Sequence, residues 1–267
     1  MKIDIFRLVS VDPNGIGNKE NGLLDLLYSY LLWKNGLDYY RFIKVNQIHQ
    51  DQGIEEFVEI EKGLVHINII FSVDTNFDTM NDVNKNEIRL EVIHAGLLRL
   101  AEEDPKFSKA TLERIKNEIL ERNFNFELEG EIRKSPFDNN TICKFLINPQ
   151  TKYFDYYFLV QRDGSDLCKV NIYRGKPTTF YLDSFFSTVI WNNKDQVTIE
   201  GNEKQMKMTL DVVNCKLNFQ NLTEYSAPPL WEMMKAEVSE QENKNAYENW
   251  LHSLPPAYSA IVRGDEN

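Results

Sequence analysis

Leu64-Val65-His66-Ile67-Asn68-Ile69-Ile70-Phe71-Ser72-Val73 is the stretch on which the fold turns. Val65, Ile67, Ile69, Phe71 and Val73 share one side of an extended chain, because successive side chains of a strand point to opposite faces. His66 and Asn68 are thereby placed on the other face. Ile54 to Ile60 is a second β-branched run, and Glu61-Lys62-Gly63 between the two supplies a turn. The spacing predicts a β-hairpin.

A hairpin with one apolar face needs a covering layer, and two helical patterns follow it directly. Leu90, Ile93, Leu97 and Leu100 recur on one helical face, and Pro105 ends that helix. Ser108 is a cap for the next helix, where Leu112, Ile115, Ile119 and Leu120 form the buried stripe. The short connection predicts antiparallel packing. Before the hairpin, residues 3–11 read as a strand, and Asp12-Pro13-Asn14-Gly15 as a turn. Asn21 is placed to cap a helix carrying Leu23, Leu24, Leu27, Tyr28 and Leu31, which Gly36 closes.

From Phe124 to about Tyr225 the texture changes to short aromatic and β-branched runs. Asp163-Gly164-Ser165, Arg174-Gly175-Lys176-Pro177 and Glu200-Gly201-Asn202 mark the sharpest reversals, as in an antiparallel meander. Residues 229–252 read as helical, and an acidic tail follows. The expected class is α+β: an N-terminal strand-helix-hairpin region, a helical pair, an antiparallel aromatic-rich β-sheet and a C-terminal helix. The composition shift divides the chain into 1–123 and 124–267, as two domains or as halves of one.

The 267 residues are 42% hydrophobic and 12% aromatic, enough large apolar side chain to offset the entropy of ordering the backbone. Net charge is −11. Its most basic stretch, Lys106 to Arg122, is interleaved with Glu113, Glu118 and Glu121, so the stripe that phosphate recognition needs is missing. Nucleic acid and anionic membrane are poor partners for such a chain, and a protein with a basic contact surface is a better one. Met1-Lys2-Ile3-Asp4-Ile5-Phe6-Arg7 carries charges inside its apolar run, unlike a signal peptide, and no stretch approaches the length of a membrane span. Three cysteines, Cys143, Cys168 and Cys215, are odd in number and widely spaced, which gives neither a disulfide framework nor a zinc knuckle. The expected compartment is the cytoplasm, where the sequons at Asn139 and Asn221 carry no meaning.

Motifs that would carry chemistry fall short of their patterns. Gly15, Gly17 and Gly22 lie between a strand and a helix, as in phosphate-binding loops, but position 20 is Glu20 and Leu23-Leu24 stands where a P-loop has Lys and Ser or Thr. Asp74, Asn76 and Asp78 open like a calcium loop, but Thr79 replaces its glycine and Lys85 its bidentate glutamate. Of His49, His66, His94 and His252, His94 lacks the second histidine and glutamate of a zincin, and His66 beside Asn68 reads as a strand residue able to line a cleft. No metal or cofactor is expected, no nucleophile motif is present, and no catalytic residue is assigned. Pro255-Pro256-Ala257-Tyr258 matches the pattern of a WW-domain ligand, but the favoured reading is that the prolines stop the preceding helix and Tyr258, Ile261 and Val262 pack back on the body.

The helical pair running from Ile88-Arg89-Leu90-Glu91-Val92-Ile93-His94-Ala95-Gly96-Leu97-Leu98-Arg99-Leu100 to Glu121, followed by an aromatic, acidic sheet, resembles uncharacterised bacterial proteins and immunity proteins of contact-delivered toxin systems. The resemblance spans about half the chain and transfers no binding residue. It implies a non-catalytic protein that neutralises a toxin by covering its surface. An enzyme of hydrolase type with a site assembled from scattered residues, and a scaffold protein, are the alternatives. The expected contact surface is the acidic C-terminal helix, with Glu232, Glu237, Glu240, Glu242 and Glu248, because exposed carboxylates steer a basic partner.

Overall fold

The computed structural model describes residues 6–10, 22–48, 53–73, 76–175, 177, 188–201, 206–221, 235 and 238–253. It is an α+β protein of two compact units. One is built on the chain up to Leu128 and takes in Asn148–Lys152; the other holds Glu129–Ile147, Tyr153–Lys176 and the strands that follow. Asn21, the glycine loop before α1, His49, Asp74 and the Pro-Pro-x-Tyr segment lie outside the described residues.

The first unit holds a four-stranded sheet in the order β1-β2-β4-β3, with β1 Phe6–Ser10, β2 Phe42–Ile48, β3 Phe57–Glu61 and β4 Leu64–Ile70. β3 and β4 form the antiparallel hairpin that the alternation predicts. β1, β2 and β4 are parallel to one another. A parallel pair needs a crossover, and α1 (Gly22–Lys34) supplies it between β1 and β2. β2 is the strand that periodicity does not single out, because Lys44, Asn46 and Gln47 interrupt its apolar run.

α1 is buried all round, including Asp25 and Ser29, rather than along one stripe. It ends in a paired-turn cap: Gly36 adopts φ +70°, Leu37 N donates to Leu32 O at 2.9 Å and Gly36 N to Trp33 O at 3.0 Å. α2 (Asp82–Glu103) begins before its apolar stripe, because Asn81 accepts a hydrogen bond from Asn84 N at 2.9 Å. α3 (Lys109–Glu121) is capped by Ser108, whose hydroxyl accepts from Thr111 N. Leu90, Ile93, Leu97 and Leu100 of α2, with Leu112, Ile115 and Ile119 of α3, are fully buried, and Leu120 is half-buried. Pairings of Glu91 with Lys116, His94 with Glu113 and Glu102 with Lys109 advance along one helix as they retreat along the other. The two helices are antiparallel.

Gly96 seats α2 on the sheet. A Cβ at that position would lie 2.8 Å from Val45 Cγ1 and 3.0 Å from Cγ2. Val45 is fully buried and branched at Cβ, so it has no rotamer to yield into. At the far end of α2, the Tyr40 hydroxyl donates to Asp104 Oδ2, and the Tyr40 ring stacks on Phe107 at 5.8 Å. Burial and that carboxylate push the Tyr40 hydroxyl up to about 12, while the same bond holds Asp104 below its usual range.

The antiparallel region after Phe124 is present as two four-stranded sheets. One has the order β5-β6-β7-β8, with β5 Leu128–Lys134, β6 Thr141–Pro149, β7 Phe154–Arg162 and β8 Ser165–Gly175. The other has β12-β11-β10-β9, with β9 Thr188–Asn193, β10 Gln196–Gly201, β11 Met206–Asp211 and β12 Lys216–Asn221. Phe158, Val160 and Cys143 from the first share one core with Trp191, Val197, Ile199, Met208 and Leu210 from the second. The unit is therefore a sandwich. Asp163 (φ 51°) and Gly164 (φ 78°) form the β7–β8 turn, both left-handed as a tight hairpin requires.

Two expectations are corrected here. Cys168 of β8 and Cys215 in the turn before β12 form a disulfide, with Cα atoms 5.3 Å apart. Strand pairing brings together cysteines that spacing alone keeps apart, and Cys143 remains a buried thiol. The helix expected from residue 229 begins later, as α4 (Glu240–Ser253). Lys235 instead makes a β-bridge to Gly175, and Ser239 caps α4, donating from N and Oγ to Glu242 Oε2 at 2.8 and 2.7 Å.

Two predictions follow from this packing. Gly96→Ala gains about 1 kcal/mol of helix propensity but incurs an overlap cost of about 1–3 kcal/mol, so the variant is expected to be destabilised. Adding Val45→Ala should return part of the loss, and a denaturation cycle that is additive instead would show that the two do not touch. Opening the disulfide closes no other link across a 47-residue separation, for which chain entropy allows about 4 kcal/mol at most. A Cys168→Ala/Cys215→Ala variant should unfold at distinctly lower denaturant, with Cys143→Ala as the control for a lost thiol.

Candidate functional site

The alternation in β2 and β4 sorts side chains onto two unlike faces. Ile43, Val45, Val65 and Ile67 lie under α2 and are fully buried. The other face carries Lys44 and Asn46 of β2, His66 and Asn68 of β4, and Phe57, Glu59 and Glu61 of β3. Cross-strand register sets them in rows: Lys44 beside His66 beside Glu59, and Asn46 beside Asn68 beside Phe57. Asn46 Nδ2 donates to Asn68 Oδ1 at 2.8 Å, and both are buried. Lys44 and His66 are half-buried, and Phe57, Glu59, Glu61 and Leu64 are exposed. The face thus opens toward β3.

Among the described residues β3 is an edge strand with β4 as its single neighbour. Ile54, Phe57, Ile60 and Leu64 stand 38–44% exposed around it. Glu55, Glu56, Glu59 and Glu61 lie among them, with Lys62 in the turn, Arg41 beside Gly63 and Lys44 in the row of Glu59 as the cations at hand. Lys62 sits 3.2 Å from Glu61 with both side chains in solvent, a pairing that contributes little. Three contacts hold the hairpin. Lys62 (φ 48°) and Gly63 (φ 83°) make a two-residue turn, Arg41 N donates to Gly63 O at 2.7 Å, and Ile70 N donates to Glu56 Oε1 at 2.8 Å. Most natural edges are blunted by lysine, proline or a bulge. β3 has none of these, and its register with β4 is unbroken.

Comparison of the chain with protein-family models, with curated proteins and with solved structures finds no match. The reading of this surface rests on its own geometry.

A second cluster lies where the helices meet. His94 Nε2 is 3.1 Å from Glu113 Oε1 with the imidazole 4% exposed, an ion-pair approach in which neither ring nitrogen has the geometry of a hydrogen bond among the described residues. Lys116 reaches Glu91 at 2.6 Å. Burial pushes the Tyr28 hydroxyl far above its ordinary value, with Glu91 and Glu113 adding to the effect. The imidazole beside it, and then Lys116, hold the Glu113 carboxyl below its usual range. Tyr28 and His94 are buried here while the Glu91 and Glu113 carboxylates reach solvent, so the cluster lies at the rim of the helix contacts, which suits a structural role.

Of the sequence-predicted contact residues, Glu240, Glu242 and Glu248 are exposed on α4, and Glu232 and Glu237 lie outside the described residues. Glu242 is engaged by the Ser239 cap and held below its usual range by it, so its charge serves the helix end. His66 and Asn68 share a face with Lys44 and Asn46 of the unread strand, on which His66 and Lys44 are half-buried and the two asparagines buried. The remaining loop motif is a single turn, Phe77–Thr79, where the Thr79 hydroxyl donates to Asn76 O at 2.8 Å. Among the described residues no three acidic, histidine or cysteine side chains converge as a metal site, and no helix is long and apolar enough to cross a membrane.

Glu113 generates a pH test. Its folded value lies below the ordinary 4.5, so the unfolded chain takes up the proton first as pH falls. The stability it contributes is present above that value and is lost as pH drops toward the folded one. The stability gap between wild type and Glu113→Gln should therefore narrow on acidification below pH 4.5. A gap that widens in acid would contradict the His94 contact.

Proposed function

We propose that this chain is a binding protein whose partner presents a basic surface, and that it acts as an immunity-type protein by covering a toxin. The observation that carries the reading is the exposed pair Phe57 and Leu64 set beside Glu59 and Glu61 on one face of the β3–β4 hairpin, with Ile60 exposed on the other face of the same edge strand. Apolar area supplies a desolvated centre for an interface, and the surrounding carboxylates choose the sign of the partner. The net charge of −11 acts in the same direction at longer range. Glu240 and Glu248 on α4 add a second acidic surface, beside the exposed Tyr247 of the same helix.

Cytoplasmic residence belongs to this reading, and the Cys168–Cys215 disulfide counts against it, since reducing compartments rarely sustain such a bond. Alkylation at the moment of lysis reads the state of the two cysteines. Two labelled cysteines besides Cys143 would place the chain in a reducing compartment, and their protection would place it in an oxidising one.

The binding reading is tested by co-purification with the product of the adjacent reading frame, followed by association kinetics across salt. Screening shortens from about 10 Å at 0.1 M to about 3 Å at 1 M, so the association rate should fall while dissociation changes less. Glu59→Lys/Glu61→Lys should slow association and hasten dissociation. Glu240→Lys/Glu248→Lys should slow association alone. A partner whose association is indifferent to salt and to all four substitutions would overturn the proposal.

A further inference from the structure

We infer that β3 takes its partner as an added β-strand, an extended segment that alternates basic with apolar side chains. The inference rests on the binding reading above and specifies its chemistry. In a two-residue hairpin the pair flanking the turn is hydrogen-bonded, and here that pair is Glu61 and Leu64. Hydrogen-bonded pairs alternate along an antiparallel ladder, so Glu59–His66 and Phe57–Asn68 are bonded too. Val58 and Ile60 therefore turn their N–H and C=O groups to the open edge. No described residue bonds to them there.

Side chains give the added strand its pattern. Phe57, Glu59 and Glu61 stand on the polar face, and Val58 and Ile60 on the face under α2. A strand laid along β3 places alternate residues opposite these two sets, close enough for cross-strand pairing. Arginine or lysine fits opposite Glu59 and Glu61 and over the Phe57 ring. Valine or isoleucine fits opposite Val58 and Ile60. A second copy of this chain is the wrong occupant, because it would set carboxylates against carboxylates on the shared face.

The probe is a short peptide alternating arginine with valine, measured by calorimetry and amide hydrogen exchange on the full chain. Its control has the same composition with the arginines in one block. The alternating peptide should bind more tightly than the control, and the Val58 and Ile60 amides should gain about tenfold protection, the mark of new strand hydrogen bonds. Val58→Pro removes one outward N–H while leaving the β4 ladder intact, and should weaken binding roughly five- to tenfold. Should that variant misfold, N-methylation of the peptide at alternate backbone positions asks the same question of the wild-type protein. Binding of both peptides alike, without protection of Val58 and Ile60, overturns strand addition and leaves the binding reading standing. A chain that dimerises through β3, or binds an acidic peptide better, overturns both.

Discussion

The approach of Gly96 to Val45 is the contact from which the rest of the first unit follows. Without a side chain at position 96, α2 comes down onto the stiff, buried Val45 and covers the apolar face of β2 and β4. α3 is then carried by α2 through their antiparallel stripes and the ion pairs between them. One face of the sheet is thereby consumed by the helices. A partner that docks on this sheet, as proposed, would meet its other face and the edge of β3.

The two units solve the problem of a stable β-structure differently. The first buries its sheet under helices and accepts a free edge. The second closes two sheets over a shared core and joins β8 to the turn before β12 through Cys168 and Cys215. An exposed strand edge ordinarily invites self-association, and nature discourages this with charge. Carboxylates on β3 do that here, since identical edges repel. The same carboxylates attract an edge of opposite charge, so protection against aggregation and choice of partner have one physical origin.

Much of this was legible in sequence, and the failures have physical reasons. The alternation from Val65 to Val73 gave β4 and its two faces, because a half-buried strand shows its period. β2 did not show one: its face away from α2 carries Lys44 and Asn46, while Gln47 is buried and donates from Nε2 to Phe71 O at 2.9 Å. Strand order follows from pairing β2 with both β1 and β4, so the edge position of β3 was out of reach once β2 was missed. The His94–Glu113 contact was nearer to hand. Two antiparallel helices joined by a short turn bring those positions together, and aligning the stripes would have found it. The disulfide required knowing that β8 and β12 meet, which no local spacing encodes.

The energetics of recognition favour an edge that is fixed before the partner arrives. Binding an extended segment orders that segment, and any disorder in the receiving strand would add to the loss. β3 is held from one side by the β4 ladder, at its turn by Lys62 and Gly63, and at its start by the Glu56 carboxylate on Ile70 N. Arg41 N, bonded to Gly63 O, fixes the turn to the beginning of β2. The ordering cost therefore falls on the incoming chain, while the main-chain groups of Val58 and Ile60 wait in place. Backbone pairing of this kind is indifferent to sequence, so discrimination has to come from the alternating side chains. On β3 those are acidic and aromatic on one face and aliphatic on the other, and a strand lacking the complementary alternation would leave carboxylates unpaired or valine against charge.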